Sequence, residues 1–381
     1  MNKRHLVFSL VILLVFLLFL ELGVRIIQRD TSRPILAKWP VLALYPNIKN
    51  PEDIFTSVPQ DSIEWAPYQQ WGIRPNLHSR FYRTNALGFR GTETTLNKPL
   101  GRFRIVVMGG SAAWGFGCTA DEKTVPGRLQ TILRGHLPEL NIEVINAGQI
   151  GYGSTQELIY FYRQISALSP DLVLLFDGYN DILADFINPA SGWPLHSDLL
   201  KSRFEDSFYP RPFRKDFLAL LRQSRLLDFV IRRIAERMKP RGPIQPSINP
   251  SATTENYLRN ILALTRLAAP VPVWVALQPV PASIQKPLSP EEIKIVTEKE
   301  QAIQGYTHRV RQTYQGIRDG LRSRGIATID MDSALGAEPE LMFADECHFG
   351  DQAADRIARH IAEQWLLQKA ISKSPIAKHC E

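Results

Sequence analysis

The chain has 381 residues, 44% of them apolar and 22% charged, with 45 Lys and Arg against 38 Asp and Glu for a formal net charge of +7. That composition can bury a substantial core, and it excludes a disordered chain, a collagen-like sequence and a small disulfide scaffold. The length accommodates one large domain or two ordinary ones. Three cysteines, Cys118, Cys347 and Cys380, have no metal-ligand spacing, and their odd number leaves at least one thiol free within the chain.

At the N-terminus, Leu6 to Leu20 is apolar throughout except for Ser9, and Lys3 and Arg4 precede it. A helix over that run covers about 22 Å, short of the roughly 30 Å hydrocarbon core. Extension to Ile27 supplies the missing turns and brings in Glu21 and Arg25 near the end, where long side chains reach the interface. Residues 1–27 are therefore expected to form a transmembrane anchor. A cleaved signal peptide is the competing reading, but neither a small-x-small site nor a lipobox cysteine follows the run. Lys3 and Arg4 favour a cytoplasmic N-terminus, while Arg25, Arg29, Arg33 and Lys38 crowd the other flank, so charge does not settle the orientation. A five-residue tail is usual for a signal anchor, which places the main domain outside the cytoplasm, in the periplasm or its equivalent.

Residues 28–100 are rich in proline and tryptophan and read as an extended connector packed on a domain. From residue 101 the pattern changes. Apolar strands are expected at Ile105–Met108, Glu143–Asn146, Leu172–Phe176, Val273–Leu277 and Ala327–Asp330. Helices are expected at Val125–His136, Ser154–Leu168, Glu255–Ala268, Lys294–Arg324 and Gln352–Leu367. Strands alternating with helices predict an α/β fold, a three-layer sandwich around a central parallel sheet. An insertion of irregular composition, about residues 185–252, separates the third and fourth strands.

Ligands of an open parallel sheet collect beyond the carboxyl ends of its strands. After the first strand comes Gly109-Gly110-Ser111, where two glycines permit a sharp turn and expose the serine hydroxyl. The second is followed by Asn146-Ala147-Gly148-Gln149-Ile150-Gly151, the third by Asp177-Gly178-Tyr179-Asn180-Asp181, and the fifth by a loop carrying Asp345-Glu346-Cys347-His348. Together these make one acyl-transfer site. Ser111 is the candidate nucleophile and needs an adjacent base, which His348 supplies. Asp345 can fix the imidazole tautomer and stabilise the imidazolium. The backbone amides of Ser111 and Gly151 and the side-chain amide of Asn180 are candidate oxyanion donors, each typically worth about 3–4 kcal/mol of barrier.

These four segments resemble the blocks of the SGNH (GDSL-like) hydrolases, which supply a Ser, a Gly, an Asn and an Asp-x-x-His in this order. The resemblance covers roughly residues 102–370 and implies a flavodoxin-like α/β sandwich and ester hydrolysis without a cofactor. The family's block-two glycine falls five residues after the asparagine, which selects Gly151 over Gly148. Its catalytic roles carry over to Ser111, Gly151, Asn180, Asp345 and His348. Gly110 stands where an aspartate often precedes the serine. Arg83-Thr84-Asn85-Ala86-Leu87-Gly88-Phe89-Arg90 looks like the segment before the hydrolase domain in membrane-tethered members, with no chemical role assignable from sequence. The resemblance implies a carbohydrate O-acetyl ester or a lipid ester as substrate, and the expected tether outside the cytoplasm favours an O-acetyl ester of an envelope carbohydrate. A transferase passing the acyl group to a glycan, and a non-catalytic glycan-binding protein that keeps the fold, remain the alternatives.

Other features point less far. Gly110 to Gly115 has the opening spacing of a phosphate loop, but Phe116 stands where lysine is required, and no dinucleotide-binding glycine motif is present. His136, His196, His308 and His360 lack partners at ligand spacing, so no metal site is expected. Cys347 and Asp181 read as structural. The positive charge is local: residues 201–241 hold twelve Lys and Arg against five Asp and Glu, leaving the remainder formally neutral. Within Asp216–Lys239, Leu220, Leu227, Ile231, Ile234 and Met238 share a helical face opposite most of the arginines. The segment is either a solvated lid helix or a contact for anionic lipid or an acidic glycan. With an export anchor ahead of it, nucleic acid is not an expected partner.

Overall fold

A computed structural model describes residues 43–51, 53–56, 62–195 and 244–372, with a helical stretch at 15–25 and isolated residues elsewhere in 1–42 and 196–243. The chain divides into two compact units. One comprises Met1–Ala37 and Asp198–Gly242, the other Lys38–Ser197 and Pro243–Glu381.

In the larger unit, β3 (Arg102–Gly109), β4 (Asn141–Gly148), β5 (Leu172–Asp177), β6 (Val273–Leu277) and β7 (Ala327–Ile329) form one parallel sheet in the order β4-β3-β5-β6-β7. β3 lies between β4 and β5, so the chain leaves the sheet in opposite directions after β3 and after β4. That reversal creates the crevice in which α/β folds bind ligands. The central strands are apolar on both faces because helices cover both. One face carries α4 (Ser154–Tyr160), α6 (Pro250–Ala268) and α8 (Tyr306–Ser323); the other carries α3 (Val125–His136) and α9 (Asp351–Ser372). The α/β sandwich with a central parallel sheet is thus present, with five strands.

Local chemistry sets the helix boundaries. Thr124 accepts a hydrogen bond from the Gly127 amide at 3.2 Å and starts α3, with Pro126 inside the first turn. Asn249 caps the Ala252 amide at 2.9 Å with Pro250 next, so α6 begins five residues before the expected Glu255. Lys294–Arg324 is not one helix. α7 (Pro290–Ala302) opens on a Ser289–Glu292 capping box, and Gly305, at φ 69°, breaks the chain before α8. An unexpected helix, α5 (Tyr179–Ile187), directly follows β5. The Ser154–Leu168 helix is continuous but changes winding, through a wide turn at Phe161–Ile165 and a tight one at Ser166–Leu168.

The proline-rich connector has structure of its own. α1 (Asp53–Thr56) is a single turn, and β1 (Ile63–Ala66) pairs with β2 (Gln70–Ile73) in an antiparallel hairpin. Residues 38–100 thereby belong to the same unit as the sheet.

Within the smaller unit, the Glu21 carboxylate accepts bonds from Arg25 Nε at 2.8 Å, Ser224 Oγ at 2.8 Å and the Leu226 amide at 2.9 Å. The N-terminal transmembrane helix expected over residues 1–27 is not shown. Only Phe8, Ile12 and 15–25 are described there, and among the described residues no helix is long and apolar enough to cross a membrane. Most of the basic segment 201–241, including the helix expected at Asp216–Lys239, lies outside the described residues.

Candidate active site

The four chemistry-bearing segments leave adjacent strand ends and converge. β3 ends at Gly109, where a Cβ would sit 2.1 Å from the Phe176 carbonyl oxygen, so only glycine permits the turn into α2 (Ser111–Trp114). Ser111 opens that helix, and its amide therefore has no intrahelical acceptor. His348 Nε2 lies 2.7 Å from Ser111 Oγ, and His348 Nδ1 lies 2.7 Å from Asp345 Oδ2. The second Asp345 oxygen accepts the backbone amides of Cys347 at 2.9 Å and His348 at 2.7 Å. Both faces of the carboxylate are thus engaged, which fixes its orientation toward the ring.

Burial of Asp345 pushes its carboxyl upward, but the charge and hydrogen bond of His348 and the two amides outweigh it and hold the group below the usual aspartate range. Burial likewise pulls His348 down, and the Asp345 charge and hydrogen bond overcome it, raising the imidazole above its ordinary 6.5. Phe116 packs on the ring with centroids 4.7 Å apart, leaving the imidazole little freedom to rotate.

The loop carrying these two residues is held from below. Gln278 Nε2 donates to the Cys347 carbonyl at 2.7 Å, and the Ala344 amide donates to the His348 carbonyl at 2.8 Å. Glu292, fully buried with Lys286 at 2.6 Å, also accepts the amides of Met342 and Phe343. Breaking one half of such a buried pair leaves an uncompensated charge.

Of the oxyanion candidates, Asn180 packs against the serine turn at Gly110 and is bonded to the loop that carries Gly151. Asn180, in the first turn of α5, donates through Nδ2 to the Tyr152 carbonyl at 2.7 Å, which leaves its second N–H for another acceptor. The same nitrogen lies 2.3 Å from where a Cβ on Gly110 would sit. This close approach accounts for a glycine where an aspartate often precedes the serine. Gly151, at φ 78°, lies just before Tyr152, and among the described residues its amide has no hydrogen-bond acceptor. Gly148 does another job: a Cβ there would meet the Trp114 amide nitrogen at 2.1 Å, so it is a packing glycine beneath α2.

Asp181 ties the two oxyanion segments together, accepting the Ser154 hydroxyl at 2.5 Å and the Ser154 amide at 2.9 Å. Burial pushes its carboxyl up to about 7. Burial also raises Glu157 and Asp177 beneath it, and Tyr257 donates to Asp177 at 2.6 Å. Cys347 is no rival nucleophile, because burial and the charges of Asp345 and Glu346 push its thiol far up and keep it protonated. Its sulfur and the ligand atoms of Asp345 and His348 lie within 4.8 Å of one another, as a metal site would require. Both His348 ring nitrogens are already committed, to Asp345 and to Ser111. The triad geometry therefore fits these residues better than coordination does.

Two contributors were not readable in the sequence as site residues. Arg90, its side chain almost entirely buried, donates to the carbonyls of Gly115 at 2.9 Å, Trp114 at 3.3 Å and Phe81 at 2.8 Å. It pairs with Asp121 at 2.9 Å and stacks over Trp114 at 4.5 Å. The Arg83–Arg90 segment thus clamps the C-terminal end of the helix that presents Ser111. Trp71 donates through Nε1 to the Ile150 carbonyl at 2.8 Å and supports the loop carrying Gly151. The only sequence signal for Trp71 was the tryptophan enrichment of the connector; for Arg90 it was the segment's likeness to tethered members.

No protein-family model and no curated protein matches the chain. Comparison with solved structures does find similar chains. The chain is similar to GDSL-type lipolytic hydrolases and acetylesterases. A lipase/acylhydrolase from Enterococcus faecalis is 14% identical, over 70% of this chain and 96% of that one, with a TM-score of 0.43. A carbohydrate acetylesterase family member from Sinorhizobium meliloti is 11% identical, over 70% of this chain and 98% of that one, with a TM-score of 0.39. An acetylxylan esterase from Geobacillus stearothermophilus, solved as a catalytic mutant, is 13% identical, over 69% and 94% of the two chains, with a TM-score of 0.40. At such low identity the roles of individual residues rest on the geometry around Ser111.

Three outcomes follow from that geometry. With neutral His348 as the general base, kcat/KM should fall as pH drops through its raised pKa, and the acid limb should lie above pH 6.5. Asp345→Asn removes the charge that raises it; a pH–rate series should show the limb moved to lower pH and the plateau lowered on the order of 10⁴-fold. Gly110→Ala should displace the Asn180 amide and cost about 10²–10³ in kcat, similar to Asn180→Ala, with little change in KM. Steady-state kinetics of both variants checks this.

Proposed function

We propose that this chain is a serine esterase of SGNH type that hydrolyses a short O-acyl ester, an O-acetyl group, of a carbohydrate through an acyl-serine intermediate. The observation that carries this reading is the continuous relay from Asp345 through His348 to Ser111, with both bonds at 2.7 Å. His348 Nε2 takes the Ser111 proton as Oγ bonds to the ester carbonyl carbon. The negative charge that develops on the carbonyl oxygen is met by the amides of Ser111 and Gly151 and by Asn180 Nδ2. The tetrahedral intermediate collapses by breaking the bond to the alcohol, which leaves with the proton from His348. Water then gives a proton to His348 and attacks the acyl carbon. Collapse releases the carboxylic acid and returns the proton to Ser111.

The reading places the esterase at a membrane, held by residues 1–27 with the larger unit outside the cytoplasm. The apolar run from Leu6 to Leu20, broken only by Ser9, supports it, as do the exposed side chains of Phe16, Leu18 and Phe19. One experiment addresses both claims. Full-length wild type and Ser111→Ala are expressed, membranes are washed with alkaline carbonate, and p-nitrophenyl acetate hydrolysis is measured on the pellet. Both proteins should sediment with the membranes, and the variant should lose essentially all activity, on the order of 10⁴-fold or more. Equal rates would remove Ser111 as nucleophile, and release by carbonate would remove the anchor.

A further inference from the structure

The β1–β2 hairpin contributes nothing to the relay, yet four hydrogen bonds fasten it to the oxyanion loop. They run from Trp71 Nε1 to the Ile150 carbonyl at 2.8 Å, from the Ile73 amide to Gln149 Oε1 at 3.0 Å, from Gln156 Nε2 to the Gln69 carbonyl at 2.8 Å, and from the Tyr152 hydroxyl to the Trp71 carbonyl. The Trp71 indole lies 3.5 Å from where a side chain on Gly151 would begin. This aromatic ring therefore borders the point at which the scissile carbonyl is held.

Trp65 is the cross-strand partner of Trp71, so the two side chains share one face of the hairpin, with Cβ atoms roughly 5 Å apart. Trp65 is 69% exposed. At the turn, Tyr68 is 72% exposed, and the Arg163 guanidinium lies 4.9 Å over its ring. Tyr68 and Gln70 adopt left-handed backbone conformations, φ 71° and 77°, that bulky L residues avoid. Beyond the Arg163 contact, a short hairpin that leaves Trp65 and much of Tyr68 exposed, one of them at a left-handed turn position, gains little fold stability from that exposure.

We infer that this hairpin is a glycan subsite: Trp65 and Tyr68 stack against pyranose rings of an acylated polysaccharide and lead its ester past Trp71 to Ser111. The C–H face of a pyranose is apolar and slightly positive at its hydrogens, and it complements the negative face of an indole or phenol ring. Arg163 lies over the Tyr68 ring and supplies a hydrogen-bonding group for sugar hydroxyls beside it. A lipid chain would instead require a continuous apolar groove. The inference deepens the esterase reading by naming the substrate as polymeric, and it rests on that reading for its catalytic consequence but not for binding.

The test uses the full-length protein in detergent micelles. Tryptophan fluorescence is titrated with O-acetylated and deacetylated xylohexaose and chitohexaose, and hydrolysis of the acetylated forms is compared with that of p-nitrophenyl acetate. A hexasaccharide should bind wild type, and Trp65→Ala or Tyr68→Ala should weaken Kd about 5- to 10-fold, the loss of one aromatic contact. Trp65→Phe should recover most of it. The penalty in kcat/KM should be at least about 5-fold larger on the acetylated hexasaccharide than on p-nitrophenyl acetate. Equal penalties on both esters would overturn the inference, as would unchanged Kd values or no fluorescence response to any hexasaccharide. Binding to phosphatidylglycerol vesicles that depends on Trp65, with none to glycans, would likewise overturn it and assign the face to lipid. Failure of the esterase reading is distinguishable: wild type would then cleave neither ester while the binding titration still responds.

Discussion

One hydrogen bond, between Ser111 Oγ and His348 Nε2, joins two residues 237 positions apart, and the proposed chemistry depends on it. Nothing local to either residue could create it. Ser111 is fixed by the end of β3 and His348 by a loop beyond β7, at the far edge of the sheet. The parallel arrangement brings their carboxyl ends to the same side. The reversal of chain direction at β3 opens the crevice in which Ser111, Gly151 and Asn180 meet.

The surrounding contacts serve to keep that bond at 2.7 Å. Asp345 holds the imidazole by one oxygen and its own loop by the other. Phe116 covers the ring face. Arg90 ties down the far end of the serine helix, and Asp181 and Asn180 knit the two oxyanion segments to each other. Such groups lower a barrier by being in place before charge develops, so that little reorganisation is needed during reaction. The charges around His348 also explain how a buried imidazole stays basic: Asp345 supplies in a fixed geometry the favourable field that water would otherwise provide.

The site was more legible than the fold's edges. Ser111, Gly151, Asn180, Asp345 and His348 stand out because each follows an apolar run and their order matches a known set of blocks. β3 was readable at Ile105–Met108 and missed at Arg102–Arg104, because a pattern-based reading stops at charges. Arg104 is nevertheless fully buried, paired with Glu143 at 2.7 Å and bonded to the Leu168 carbonyl at 2.7 Å. α5 was hidden because Gly178-Tyr179-Asn180-Asp181 has turn chemistry, and tertiary packing of Tyr179, Ile182 and Phe186 overrides it. The break between α7 and α8 comes from Ile303, extended and bridged to Ile244, followed by Gly305 in a left-handed conformation. Arg90 was illegible for a different reason: its main partners are backbone carbonyls, which carry no sequence signature.

The central claim is that Ser111 is a nucleophile activated by His348. Labelling of the full-length protein with a fluorophosphonate, followed by peptide mass spectrometry, tests it most directly, because only an activated hydroxyl attacks the phosphorus at a useful rate. The predicted result is one adduct, on the peptide containing Ser111, that is lost in His348→Ala. An adduct on another residue, or undiminished labelling of Ser111 in His348→Ala, would contradict the account.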